Sequence, residues 1–210
     1  MIPIEHLVAF VLASIVLIVI PGPGVLFVVG RSIALGRRAG VLSVLGNSLG
    51  NIPALLLVAF GVGAIVASSV VAFTAIKIVG AAYLVYLGVQ AIRHRRGRIE
   101  QGGRAPASVL TLLRQGFFVG MTNPKTIAFF VAVLPQFVAR DAGPIWLQLL
   151  MLGLVFQVLA VICDSMWALA AGTARSWFGR SPRRLSALSG AGGVMMIGLG
   201  GALAFSGAKS

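Results

Sequence analysis

The chain has 210 residues, 59% of them hydrophobic and only 10% charged, with a mean hydropathy of +1.03. No soluble domain of that length has so much apolar sequence to hide, so the composition indicates a polytopic membrane protein. The formal net charge of +13 would suggest nucleic acid in a soluble chain, but here the basic residues sit in short blocks between apolar runs, where a lipid bilayer accounts for them and no nucleic-acid partner is implied.

Six apolar spans follow one another: residues 4–29, 40–66, 73–92, 112–138, 145–173 and 185–205. Each has about the 20 residues a helix needs to cross the hydrocarbon layer. The first is interrupted by Pro21-Gly22-Pro23-Gly24. Each proline deletes an N–H donor and each glycine loosens the backbone. Lipid offers no partner for the freed carbonyls, so the break must line protein or a wet cavity. It reads as a broken transmembrane helix at a binding site. A signal peptide fits poorly, because Met1 to His6 holds no Lys or Arg and no small-x-small cleavage site precedes the prolines.

The second span carries Asn47 and Asn51, four apart and so on one helix face, with Pro53 beyond. The fourth is interrupted by Asn123-Pro124-Lys125, and the fifth holds Gln157 and Asp164. At about 1.5 Å per residue these polar groups converge on one layer, between the midplane and the inner leaflet. Asp164 is the sole Asp or Glu in the interior of any span, Glu5 standing at the very start of the first. A carboxylate there is paired, neutralised or in a wet cavity, and Lys125 is the best candidate partner. The bland alternatives are a snorkelling lysine for Lys125 and packing glue between helices for the asparagines. Phe117, Phe118, Phe129 and Phe130 read as packing or lipid-facing residues.

The connections set orientation. Arg31, Arg37 and Arg38 lie in the first, Arg93, Arg95, Arg96, Arg98 and Arg104 in the third, and Arg175, Arg180, Arg183 and Arg184 in the fifth. The second carries no charge, and the fourth only Arg140 beside Asp141. Basic short loops stay in the cytoplasm, which puts both termini outside. The halves also look related. Gly80 and Gly88 recur 110 positions later as Gly190 and Gly198, and the breaks at Pro23 and Pro124 are 101 apart. An odd number of spans per half inverts the second, so the expected fold is all-α: one membrane domain of two inverted three-helix repeats (1–92 and 112–210), with broken first and fourth helices, joined by a basic linker (93–111).

The Pro-Gly-Pro closing the first span, Gly46-Asn47 to Gly50-Asn51 in the second, the basic central loop and Asn-Pro-Lys in the fourth resemble the LysE/RhtB family. Its members are bacterial inner-membrane exporters of amino acids and related metabolites. The resemblance covers the whole chain and implies roles for Pro21, Gly22, Pro23, Asn123, Pro124, Lys125 and Asp164. It does not name a substrate, because the motifs are shared across lysine, threonine, leucine and other exporters.

The expected function is therefore secondary export of an amino acid or small zwitterion, driven by the proton gradient, along Pro21, Gly22, Pro23, Gly24, Asn47, Asn51, Asn123, Pro124, Lys125 and Asp164. The alternative is a channel, or an exporter of another solute or ion. No enzyme, cofactor or metal is implied. A redox relay would use paired cysteines, and the chain has only Cys163; a hydrolase would want a His or a carboxylate pair within the spans. A metal-ion exporter would favour His, Cys or several carboxylates along the path. Small residues in the third and sixth spans permit close packing within a protomer or in a homodimer.

Overall fold

The structure, a computed structural model, describes residues 2–62, 70–93 and 108–174, and single positions between 181 and 204. Residues 94–107 of the linker and most of the expected sixth span lie outside the described residues. Every described element is helical.

Helix α1, Ile4–Val19, meets no breaker until Pro21. The residue before a proline is pushed out of the helical region, and Ile20 is extended, with ψ 118°. Gly22 is also extended, and α2, Pro23–Leu35, begins with Pro23 in its first turn, where the missing N–H costs nothing. The two axes meet at 51°. Gly36 follows with φ +90°, a left-handed conformation that glycine adopts without penalty. It turns the chain at once into α3, Arg37–Leu57, which runs on through a π-helical turn at Val58–Val62. Helix α4 is Val70–Arg93.

The second break resembles the first. Helix α5, Val109–Met121, is capped by Ser108, whose hydroxyl accepts from the Thr111 N–H at 3.2 Å. Asn123 then caps α6, Pro124–Ala132, by accepting from the Lys125 N–H at 3.2 Å. A 3-10 turn, Leu134–Phe137, continues that arm, and the bend is 47°. After Gly143, α7 runs unbroken over Ile145–Thr173, the limits expected for the fifth span. Helix α7 and the stretch Arg37–Gly61 are each long and apolar enough to cross a membrane. Counting each bent pair as one span gives four among the described residues.

Packing is inside-out relative to a soluble bundle. Along α7, Leu147, Met151, Leu154, Val158, Ile162 and Met166 are exposed, at the three- and four-residue spacing of one helix face. Its opposite face buries Gln148, Leu152, Phe156, Gln157, Ala160 and Asp164. The apolar face suits lipid, and the polar groups turn inward.

The closest helix crossing joins α3 to α5. A methyl on Gly46 would strike the Leu113 backbone, and one on Gly50 the backbone of Phe117. Methyls on Gly116 and Gly120 would strike the backbone of Ser43 and Asn47. Two small-xxx-small faces thus bring the backbones into contact. Because both numbers rise together along the crossing, α3 and α5 run parallel.

Candidate functional site

Pro21 sets up the site by what it lacks. In a continuous helix the Leu17 carbonyl would accept from the N–H four residues on, and residue 21 has none. The extended Ile20 leaves its own carbonyl off the helical ladder. Both oxygens are met by one side chain from the other break: Lys125 Nζ donates to Leu17 O at 3.0 Å and to Ile20 O at 2.7 Å. Lys125 is buried, so the snorkelling alternative fails.

Glycine makes the approach possible. A methyl on Gly22 would lie 3.0–3.2 Å from Lys125 Cδ, Cε and Nζ. One on Gly24 would lie 3.0 Å from Asn123 Nδ2 and 3.4 Å from the Asn47 amide. The glycines of the first break are therefore where the side chains of the second lie against the backbone.

Between the breaks is a cavity lined by Gly24 and Val25 from α2, Asn47 and Asn51 from α3, Asn123, Lys125 and Thr126 from the second break, and Asp164 from α7. Leu17, Ile18, Phe156 and Ala160 supply its apolar wall. The cavity, of about 20 Å³, has room for a water but not for an amino acid. Three acceptors around it, Asn47 Oδ1, Asn51 Oδ1 and Asp164 Oδ1, are buried without a hydrogen-bond partner. Asn51 Nδ2 does reach Gln157 Oε1 at 3.4 Å, and Gln157 Nε2 donates to Ser48 O at 2.6 Å.

The geometry thus gathers Gly24, Asn47, Asn51, Asn123, Lys125 and Asp164 around one space. Pro21 and Gly22 are buried one step behind it, Pro23 is exposed, and Pro124 is half-buried at the start of α6. The expected pairing of Lys125 with Asp164 needs correction: no ion pair joins them. The carbonyls freed by Pro21 lie closer to the ammonium and satisfy it at the negative end of α1. Among the described residues no group of three His, Cys, Asp or Glu comes together.

An aromatic cluster closes one side. Phe156 packs on Phe129 and Phe130, both at 5.1 Å between centroids, and Phe10 on Phe129 and Phe137 at 6.0 and 5.4 Å. Phe129 and Phe130 are fully buried, whereas Phe118 is exposed. Phe156, Thr126 and the Leu17 and Ile20 carbonyls join the site beyond the residues that the sequence singles out. Only the Leu17 carbonyl has a signal in the sequence, since Pro21 orphans the acceptor four residues before it.

The family model for LysE type translocators matches residues 15–207. A Vibrio cholerae protein, known only as an uncharacterized membrane protein, is 36% identical over 199 residues, covering 93% of this chain and 95% of its own. The homoserine/homoserine lactone efflux protein of Salmonella typhimurium is 32% identical, covering 93% and 94%. The leucine efflux protein of an Enterobacter species is 27% identical, covering 93% of each chain. No solved structure matches the chain significantly.

Proposed function

Because the chain belongs to the LysE type translocator family of bacterial membrane proteins, we propose that it exports an amino acid or a closely related small zwitterion from the cytoplasm, driven by the proton gradient. The observation that carries this reading is the cavity between the two breaks, with its three unpartnered acceptors. Asn47 Oδ1, Asn51 Oδ1 and Asp164 Oδ1 want donors, and an ammonium group supplies three. Gly24 and Val25 bring the start of α2 to the same space, where first-turn N–H groups and the positive helix end favour a carboxylate. One side of the cavity thus suits each end of a zwitterion. Among the described residues Asp164 is the sole carboxylate lining it, which makes it the candidate proton carrier.

In this reading the protein has six spans in two inverted repeats. Two matched breaks support it, bent by 51° and 47° with proline opening the second arm of each. So does the packing exchange, in which α3 lies on α5 while α7 lies on α1 and α2. The cavity is too small for an amino acid, so passage requires the arms to part, and broken helices at a repeat interface are suited to that motion.

The test starts with resistance of overproducing cells to toxic levels of amino acids and their analogues, followed by efflux of the labelled hit. Proteoliposomes with and without an imposed proton gradient then measure coupling. Accumulation against a gradient only when protons flow supports the reading; equal flux in both conditions means a passive path. Resistance to no amino acid, with none bound by the purified protein, overturns the substrate class.

A further inference from the structure

We propose that the Leu17 and Ile20 carbonyl oxygens form a monovalent-cation site, and that the Lys125 ammonium is its tethered occupant. Both oxygens belong to the C-terminal end of a half-helix, where the backbone dipole is negative. Such ends, with unwound carbonyls, hold coupling cations in other secondary transporters. Here the cation arrives on a side chain, with Nζ at 3.0 and 2.7 Å from the two oxygens. The Lys125 stem lies in a slot floored by Gly22, whose lack of a side chain leaves room for Cδ, Cε and Nζ. Among the described residues no carboxylate is within ion-pair distance of the ammonium. A donor set of two neutral carbonyls suits one positive charge and not two.

The tethered ammonium does two jobs. It satisfies the acceptor that Pro21 leaves bare, and it pins the second break to the first. Removing the amine leaves two buried carbonyls and the space of a lysine head. A small dissolved cation then takes its place, bound with a dissociation constant instead of a covalent tether.

The test uses purified full-length protein in detergent and needs no transported solute, so its outcome is independent of whether export is found. Thermal unfolding is followed in sodium chloride, methylammonium chloride and choline chloride at equal ionic strength. The unsubstituted protein is expected to melt at one temperature in all three. Lys125→Ala is expected to melt lower in choline and to recover, saturably, in sodium or methylammonium, by roughly 5–10 °C at a hundredfold excess over the dissociation constant. Lys125→Met fills the slot without charge and is expected to stay low in every salt. The same melting temperature for Lys125→Ala in all three salts overturns the proposal, as does an equal sodium or methylammonium gain in the unsubstituted protein. Should Lys125→Ala fail to accumulate, Lys125→Ser replaces it, because it likewise leaves the two carbonyls without an ammonium; absence of a cation-specific gain there is equally fatal to the proposal.

Discussion

A buried asparagine in a membrane helix either ties helices together or serves a polar path. Asn51 has a claim to the first role, through Gln157 and on to Ser48. Asn47 does not, since its Oδ1 is buried without a partner. Replacing an unsatisfied polar group by an apolar one of similar shape is close to neutral for stability. Asn47→Leu is therefore expected to accumulate and melt like the unsubstituted protein while losing most transport; parallel loss of folded protein would return Asn47 to a packing role. Asp164 yields a sharper test. Because Lys125 is held by carbonyls, Asp164→Asn strands no cation, and the 3–5 kcal/mol (an order-of-magnitude figure) for breaking a buried pair does not apply. It should fold normally, keep downhill exchange and fail to concentrate substrate when a proton gradient is imposed on vesicles. Full gradient-driven accumulation by Asp164→Asn would remove it from the coupling step.

At the level of elements, the breaks were legible because their cause is local. A proline has no N–H wherever it stands, so Pro21, Pro23 and Pro124 announced two interrupted helices. The limits of α7 were legible too, being a long apolar run between Pro144 and a basic stretch. What each break does with its orphaned carbonyls was not legible. Sequence spacing gives heights along a helix but not the rotation of one helix against another, so height and sign alone pair Lys125 with Asp164. The same limit hid the partner of the Gly46 and Gly50 face: nothing near Gly116 and Gly120 says that they meet it. That crossing predicts a large effect from a small change. Gly50→Ala and Gly120→Ala each drive a methyl into the opposite backbone, which has no rotamer by which to yield. Each should cost about 1–3 kcal/mol or more, read as a lower melting temperature and less folded protein. Gly61→Ala, where an added methyl meets nothing, serves as the control.

Across the whole molecule, contacts sort the helix ends into two groups. His6 Nδ1 lies 3.2 Å from the Phe137 carbonyl, and Phe60 stacks on Trp146 at 5.9 Å. The start of α1, the end of the Arg37–Gly61 stretch, the end of the second broken pair and the start of α7 thus share one side. Arg37 lies against Gly172 near the end of α7, and α5 starts beside the early part of α3. The tight turn at Gly36, with Arg37 and Arg38 exposed beside it, therefore shares the other side with Arg114. That second group carries the concentrated positive charge, which cells retain on the cytoplasmic face. The aromatic cluster around Phe129 and Phe156 leans toward the first group, so in the proposed orientation, with both termini outside, it closes the cavity on the outer side and leaves entry from within. Orientation can be read by labelling single cysteines in a Cys163→Ser background, using an impermeant maleimide on intact spheroplasts. Both target positions are exposed. Asp141→Cys is expected to label at once, and Arg38→Cys only after the membrane is opened. The reverse pattern would invert the protein and turn the proposed exporter into an importer-facing arrangement; labelling of both from outside would contradict the separation of the two ends by a bilayer.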